Sequence, residues 1–151
     1  KVDTSELESR ILCTYVAASD YSHMANLRGD PECMNIVDPL RIQQVIDNGI
    51  HNFYKYANTT IDISAFCEGD YLAVCFRDFG KGAASEELPL LFEKFYRGSN
   101  AKNRNGAGLG LYLSRYFMEQ MGGRISCENC EGGFQVTLYI RLAGKIQQDR
   151  N

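Results

Sequence analysis

Polar side chains recur every four residues between positions 44 and 56. They are Gln44, Asn48, Asn52 and Tyr56, with Lys55 beside them. In an α-helix this spacing places the side chains on one stripe of the surface. Amide oxygens suit Mg²⁺, which keeps several waters and also binds substrate phosphates, and a lysine supplies compensating positive charge. The stripe therefore predicts a site for a magnesium-bound phosphate; the alternative is a solvated polar face.

A carboxylate and two glycines follow a predicted strand. The segment reads Asp78-Phe-Gly80-Lys-Gly82 and comes directly after a strand that ends near Phe76. A carboxylate at a strand end is held in place but accessible, so it can accept a hydrogen bond from an exocyclic amine such as that of adenine. Glycines let the backbone turn sharply and let a ligand approach closely. An ordinary loop is the alternative, because this short motif is weak evidence by itself.

Three glycines at two-residue spacing open a predicted helix. They are Gly106, Gly108 and Gly110. Free backbone N–H groups at a helix N-terminus suit phosphate, and glycines remove side chains that would block its approach. The pattern matches neither the dinucleotide-binding glycine motif nor the P-loop. It therefore indicates a phosphate site of another kind.

The elements that must position these residues follow from local patterns. A helix is predicted from Asp38-Pro39 to Ala57, since Asp caps a helix and Pro fits its first turn. Alternating apolar residues predict hairpins around 61–76 and 124–142. The other predicted elements are a helix at 3–18, a hairpin at 23–37, a short helix at 85–95 and a helix at 109–121. This order predicts helices packed on one face of a mixed sheet.

Composition excludes several functional classes. The 151 residues suffice for one domain, and a net charge of −3 disfavours a dedicated nucleic-acid binder. No apolar run approaches the ~20 residues that span a bilayer, and the polar first ten residues do not form a signal peptide. Six cysteines without secretory context are expected to be free thiols. Cys127 and Cys130 have C-x-x-C spacing but lack the further ligands of a zinc site.

Taken in order, the three motifs resemble those of the GHKL superfamily, which includes gyrase, mismatch-repair ATPases and histidine kinases. Residues 38–57 resemble the N box, 77–82 the first glycine box and 106–111 the second. Residues 91–98, with Phe92, Phe95 and Arg97, resemble the F box of histidine kinase catalytic domains. The resemblance implies an α+β fold: a two-layer α/β sandwich with a mixed, mostly antiparallel sheet and three main helices on one face. It implies one domain at 1–143 and a polar tail at 144–151.

The resemblance also implies a role for each matching residue in binding ATP and Mg²⁺. Asn52 would coordinate Mg²⁺, Asn48 would lie beside the phosphates, and Asp78 would receive the adenine amine. Arg97 would stabilise charge on the transferring phosphoryl group, so Arg97 and Asn48 are the implied catalytic residues. The other implied nucleotide contacts are Lys55, Tyr56, Gly80, Gly82, Phe95, Gly106, Gly108, Leu109 and Gly110. Residues 96–105 would form the ATP lid.

The residue at position 48 distinguishes two reactions within the superfamily. Hydrolytic members place a Glu one turn before the metal-binding Asn, where it activates water as a general base. Asn48 cannot take that proton, so phosphoryl transfer is favoured over hydrolysis. The implied partner is a helical dimerisation domain of the same protein that carries the acceptor histidine, with a response regulator downstream. Neither His23 nor His51 lies in a helical hairpin suited to that role.

Three matters stay open at the level of sequence. The first is whether Gly49 and Phe53, which stand where the family prefers Leu and Ala, impair activity. Gly49 weakens a helix by about 1 kcal/mol relative to Ala. A protein serine kinase of the anti-sigma-factor type and a degenerate nucleotide-binding module are the alternative functions. A domain that uses ATP is expected in the cytoplasm without direct membrane or nucleic-acid contact, whether or not the parent protein is membrane-anchored.

Overall fold

The computed structural model describes residues 5–8, 25–28, 34–56, 60–82, 85–92 and 110–143. The strands are β1 (Ser5–Glu8), β2 (Ala25–Arg28), β3 (Met34–Val37), β4 (Ile61–Glu68), β5 (Tyr71–Arg77), β6 (Arg124–Cys130) and β7 (Gly133–Arg141). The α-helices of this part are α1 (Pro39–Tyr56) and α2 (Gly110–Gln120). A short 3-10 helix spans Ser85–Leu90. Neither α-helix is long and apolar enough to cross a membrane.

Five strands form the main sheet in the order β2-β4-β5-β7-β6. Neighbours are antiparallel except β2 and β4, which run parallel. The predicted α+β class with a mixed, mostly antiparallel sheet is confirmed. The number of helices differs, because the described residues contain two α-helices rather than three.

The N-terminal predictions are wrong where the structure describes them. Ser5–Glu8 is a strand within the predicted helix, and it pairs with β3 from Ser5↔Val37 to Glu8↔Met34. β2 pairs with β4 instead of β3, so residues 23–37 do not form a hairpin. Pairing with distant strands overrides the local pattern in both segments. The rest of the predicted first helix, residues 3–4 and 9–18, lies outside the described residues.

The start of α1 matches its predicted cap. Asp38 Oδ1 accepts hydrogen bonds from the backbone N–H groups of Leu40 at 3.0 Å and Arg41 at 3.3 Å. These bonds satisfy two of the donors that a helix start leaves free. Asp38 N–H also donates to Met121 Sδ at 3.3 Å. The cap residue of α1 is therefore hydrogen-bonded to the residue that follows α2.

The core lies between the two α-helices and one face of the main sheet. Alternate residues of the central strands face the helices, as the period-two pattern predicts. The buried residues that meet there include Ile42, Val45, Ile46, Ile50, Leu72, Val74, Phe76, Met118, Met121, Val136, Leu138 and Ile140. Packing of α1 and α2 on this layer fixes their positions relative to the strand ends.

The two glycines after α2 end the helix as predicted. Gly122 has a φ of 81°, and its N–H donates to Glu119 O at 3.1 Å. Gly123 N–H donates to Met118 O at 2.9 Å. Together these bonds form a Schellman motif, in which a left-handed glycine closes the last turn.

The short predicted helix at 85–95 is shorter and tighter than expected. It is a 3-10 helix that ends at Leu90, followed by a turn at Leu91 and Phe92. Pro89 lies inside it, and proline cannot donate the backbone hydrogen bond of an α-helix interior. Residues 93–95 lie outside the described residues.

The cysteines follow the prediction of free thiols only in part. Cys67 is disulfide-bonded, so the prediction is wrong there, and its partner lies outside the described residues. Cys75, Cys127 and Cys130 are free. Three residues of separation place Cys127 and Cys130 on opposite faces of β6, so the C-x-x-C spacing does not build a site. Burial raises the pKa of Cys127 to about 11, so this thiol is protonated at neutral pH.

Two glycine substitutions should have opposite effects on stability. A Cβ at Gly49 would meet the Phe76 ring at 3.9 Å, an ordinary contact, whereas a Cβ at Gly123 would lie 2.1 Å from Tyr139 O. We expect Gly49→Ala to raise the free energy of unfolding by about 1 kcal/mol. Gly123→Ala should lower it by roughly 1–3 kcal/mol because the backbone must move. Urea denaturation measures both, and a destabilised Gly49→Ala variant would contradict the packing described for α1.

Candidate functional site

The two α-helices lie side by side and run in opposite directions. Asp38 at the start of α1 contacts Met121 after the end of α2. Further along α1, the guanidinium of Arg41 lies over the Phe117 ring at 5.0 Å. Asn48 then donates from Nδ2 to Ser114 Oγ at 3.2 Å. Contacts that advance along one helix and retreat along the other define an antiparallel pair.

This arrangement brings the backbone of α1 around Asn52 to the same level as Gly110, the last glycine of the third sequence motif. Asn52 comes one turn after Asn48, and Gly110 comes one turn before Ser114. Asn52 is therefore level with Gly110, the first residue of α2. The free N–H groups of a helix start lie at that end. The side chains of Asn52, Lys55 and Tyr56 are outside the described part of the chain, so their individual contacts stay predictions.

A groove of about 280 Å³ runs between the helices at their other end. Its lining residues are Arg41, Gln44, Val45, Asn48, Leu113, Ser114 and Phe117. Arg41 Nη1 donates to Gln44 Oε1 at 2.9 Å. Gln44 is therefore engaged at the outer end of the polar stripe, two turns away from Asn52. Asn48, one turn further along, is hydrogen-bonded across the helix pair to Ser114.

Asp78 lies at the end of β5 and is held as the sequence predicts. Its side chain is buried, with 4% of the residue exposed. Oδ1 accepts hydrogen bonds from the N–H of Gly80 at 3.0 Å and of Phe134 at 3.1 Å. Among the described residues, none donates to Oδ2. The carboxylate is thus fixed through one oxygen, and the other is available to a ligand.

Burial raises the pKa of Asp78 above the ordinary value for this side chain. The two backbone hydrogen bonds and the nearby charge of Arg77 act in the opposite direction and are outweighed. Removal from water disfavours the charged form, and a desolvated carboxylate also interacts more strongly with a donor that reaches it. The position is therefore costly for stability and well suited to recognising an amine.

The glycine loop after Asp78 packs against the β6–β7 hairpin. Gly82 has a φ of 79°. A Cβ at this position would lie 2.5 Å from Asn129 Oδ1. Both the left-handed backbone and the close contact require glycine here. The sequence prediction of a sharp turn is confirmed at Gly82, and the hairpin is the surface that the loop approaches.

The first and second motifs also meet at the same end of the sheet. Gly49 faces the Phe76 ring, and Phe76 is two residues before Asp78 in the chain. The part of α1 around Gly49 therefore lies over the last residues of the strand that precedes Asp78. Gly110 opens α2 at the glycine motif, as predicted. The predicted site residues Phe95, Arg97, Gly106, Gly108 and Leu109, with the predicted lid at 96–105, lie outside the described residues.

Phe92, at the start of the segment that resembles the F box, packs against α2. The guanidinium of Arg115 lies over its ring at 5.6 Å. The described beginning of this segment therefore contacts α2 through Phe92.

Sequence reasoning missed Ser114, which the structure shows to be a partner of Asn48. Leu113 and Tyr116 belong to the apolar pattern that predicts the helix at 109–121, but they are 41% and 46% exposed. Ser114 is instead 3% exposed and shares the buried face with Met118 and Met121. The sequence does carry a signal for this position. Ser114 lies four residues before Met118 and seven before Met121, which is the spacing of one helix face.

In the described part of the chain, no group of three His, Cys, Asp or Glu side chains could hold a metal ion. Asn48 Nδ2 is committed to Ser114, which leaves its Oδ1 for a cation or its bound water. Amide oxygens with few protein carboxylates fit Mg²⁺ bound to phosphates better than an all-protein cation cage.

The comparison with protein families identifies the chain. Residues 37–144 match the family described as histidine kinase-, DNA gyrase B-, and HSP90-like ATPase. The chain belongs to this family. The match includes α1, the Asp78 loop, α2 and the β6–β7 hairpin, so the resemblance that the sequence motifs indicate is confirmed.

Among curated proteins, similar relatives are sensor kinases. Sensor histidine kinase RcsC of Salmonella typhimurium is 39% identical over 111 residues, which are 71% of this chain and 12% of RcsC. Sensor histidine kinase YkoH of Bacillus subtilis is 33% identical over 126 residues, 81% of this chain and 28% of YkoH. The chain therefore spans only a small part of the length of these relatives.

Solved structures share the fold. The catalytic domain of histidine kinase ThkA superposes with a TM-score of 0.76 at 23% identity, covering 92% of this chain and 95% of that one. The ATP binding domain of PrrB from Mycobacterium tuberculosis gives 0.75 at 23% identity, covering 94% and 99%. Full-length ShkA in complex with AMPPNP gives 0.76 at 20% identity, covering 96% and 33%.

The raised pKa of Asp78 predicts a pH dependence of stability. The native chain keeps a proton on Asp78 over a pH range in which the unfolded chain has lost it. The contribution of Asp78 to the free energy of unfolding therefore falls as the pH rises from about 4 through the raised pKa. Asp78→Asn keeps an oxygen acceptor for Gly80 and Phe134 and does not ionise.

We expect the native chain to lose stability relative to Asp78→Asn as the pH rises from about 4 towards neutrality. Urea denaturation at a series of pH values measures the difference. The same change at Asp70, in the exposed β4–β5 turn, is the matched control. A difference that grows in favour of the native chain with rising pH would contradict the stated environment of Asp78.

Proposed function

We propose that the chain is the ATP-binding catalytic domain of a sensor histidine kinase. In this role it positions Mg-ATP for transfer of the γ-phosphoryl group to a histidine on a separate helical dimerisation domain of the same protein. The observation that carries the proposal is Asn48, an amide held between α1 and α2 by Ser114, in a chain of the GHKL type. The proposed domain comprises residues 1–143, followed by a tail at 144–151.

The described residues support adenine recognition at the end of β5. Asp78 Oδ1 is occupied by two backbone donors, so Oδ2 would accept the hydrogen bond from the exocyclic amine. Gly80 and Gly82 would let the base approach the backbone closely. Because the carboxylate is buried, a ligand donor there meets little competition from water.

The phosphates would lie at the start of α2. Its N-terminal N–H groups attract anions through hydrogen bonds and the helix dipole. Gly110 lies level with Asn52 on α1, so the amide proposed to ligate Mg²⁺ and the proposed phosphate site share one end of the helix pair. Mg²⁺ would neutralise charge on the phosphates there. Lys55 and Arg97 would contribute further positive charge as proposed phosphate contacts.

The chemistry of position 48 supports transfer rather than hydrolysis. A carboxylate at this position of α1 could take a proton from water, but an amide has no such basic group at neutral pH. Asn48 uses Nδ2 to bind Ser114, so it would orient Oδ1 towards the phosphate region. Catalysis would then consist mainly of positioning and electrostatic stabilisation, as is general for phosphoryl transfer.

The remaining components would be supplied by other parts of a longer protein. The chain spans 12% of RcsC, and a catalytic domain of this kind requires a domain that carries the acceptor histidine. A response regulator would receive the phosphoryl group afterwards. The domain itself would work in the cytoplasm, where ATP is available.

Nucleotide binding should stabilise the native chain. At 100 times its Kd, ADP or Mg-ATP should raise the free energy of unfolding by about 2.7 kcal/mol. Asp78→Asn should lose most of this increase, because the amide presents the wrong donor or a weaker acceptor to adenine. Asn52→Ala should weaken the binding of Mg-ATP more than the binding of metal-free ADP. The control Asp70→Asn should respond as the native chain does, and no stabilisation of the native chain would refute the nucleotide site.

Transfer should produce a phosphohistidine on the acceptor domain. The chain is mixed with radiolabelled ATP, Mg²⁺ and the helical domain of its parent protein. We expect label on that domain that is lost in acid and retained in alkali, and absent with Asn52→Ala. Acid-stable label would instead support a protein serine kinase. ATP binding without any transfer would support a degenerate module.

A further inference from the structure

Arg77 is the last residue of β5 and precedes Asp78. Alternation along β5 directs Phe76 into the core and Arg77 to the opposite face of the sheet. Arg77 Nε donates to Asp78 O at 3.2 Å. Nη2 donates to Glu131 O at the tip of the β6–β7 hairpin. The guanidinium also lies over the Phe79 ring, 4.5 Å from its centroid.

These three contacts join two segments that are far apart in sequence. Asp78 and Phe79 belong to the loop that carries the carboxylate, and Glu131 lies in the hairpin turn. A planar guanidinium presents its donors at fixed angles and stacks on a ring at the same time. Arg77 therefore holds the loop and the hairpin tip in one relative position.

The hairpin tip is in direct contact with the backbone of Asp78. Asp78 N–H donates to Phe134 O at 2.9 Å, and Phe134 N–H donates to Asp78 Oδ1. A Cβ at Gly133 would lie 2.0 Å from Asp78 O. The same carbonyl oxygen of Asp78 accepts the hydrogen bond from Arg77. A displacement of the tip would therefore move the carboxylate directly.

We propose that Arg77 is a positioning residue that sets the preference of this site for adenine by fixing Asp78 against the β6–β7 hairpin tip. This inference rests on the proposed nucleotide function. Arg77 acts through Asp78 and Phe79. The ligand class that it selects is a purine nucleotide with an exocyclic amine at position 6 of the base.

The test compares two nucleotides that differ at this amine. ADP carries it, and inosine diphosphate carries an oxygen in its place. Dissociation constants of both are measured by calorimetry for the native chain, Arg77→Gln and Arg77→Lys. We expect both variants to reduce the preference for ADP over inosine diphosphate by about tenfold, roughly the contribution of one hydrogen bond to a charged group. Affinity for inosine diphosphate should change little.

Arg124→Gln is the matched control. Arg124 lies opposite Tyr139 on β7, and its guanidinium lies over that ring at 3.8 Å. Arg77 lies opposite Gln135 on the same strand, four residues away. The control removes the same charge and a similar stacking contact from the same face of the sheet. It should keep the native preference.

Three results would overturn the inference. Equally weaker binding of both nucleotides would show a general structural effect. An unchanged preference for ADP in Arg77→Gln would show that Arg77 has no role in selecting the base. A native preference in Arg77→Lys would show that charge alone suffices. If the native chain binds neither nucleotide, the proposed function fails as well. If it binds ADP and the variants keep its preference, the inference fails alone.

Discussion

The antiparallel pairing of β5 with β7 is the interaction on which the rest of this structure depends. Its register runs from Tyr71↔Arg141 to Arg77↔Gln135 and continues one step further, where Asp78 N–H binds Phe134 O. One side of this ladder provides the apolar layer beneath the helices. Its end provides the position of Asp78. A single register therefore determines both the core and the candidate site, so a shift by one residue would disrupt both.

The antiparallel helix pair packs on this layer. Its antiparallel contacts place Asn48 opposite Ser114, with the start of α2 one turn further along. Two of these contacts are hydrogen bonds to a sulfur or a hydroxyl group across the interface, between Asp38 and Met121 and between Asn48 and Ser114. Such polar contacts are costly to bury unless they are paired. The hydrogen bond to Ser114 therefore orients the side chain of Asn48 within the interface.

The candidate site contains features that do not favour stability. Asp78 is a buried carboxylate with a raised pKa, and Gly49 occupies a helix position with space for a larger side chain. Proteins commonly tolerate such positions where binding or catalysis needs them. For Asp78, the compensation is visible in two backbone hydrogen bonds and the neighbouring charge of Arg77. For Gly49, the structure shows contact with Phe76 but no compensating interaction that explains the glycine.

Local signals in the sequence determined the elements that hold the site. The Asp38 cap, the alternation in β4, β5 and β7, and the glycines that begin and end α2 each act over a few residues, and each prediction is confirmed. The order of the three motifs along the chain also indicates the family. Asp78 is predicted as a site residue because a carboxylate directly after a buried strand is held in place by that strand.

Tertiary structure alone decided the partners. β1 pairs with β3 and β2 with β4 across long separations, and no local pattern specifies which strand a segment joins. For the same reason, the sequence pattern does not indicate the contacts of Ser114 or Arg77. Ser114 binds Asn48 on the other helix, and Arg77 binds the tip of the β6–β7 hairpin. Periodicity shows which side of an element is buried, but hydrogen-bond partners depend on the packing of segments far apart in the chain. The sequence therefore determined the chemical groups of the site, and the fold decided what holds them in place.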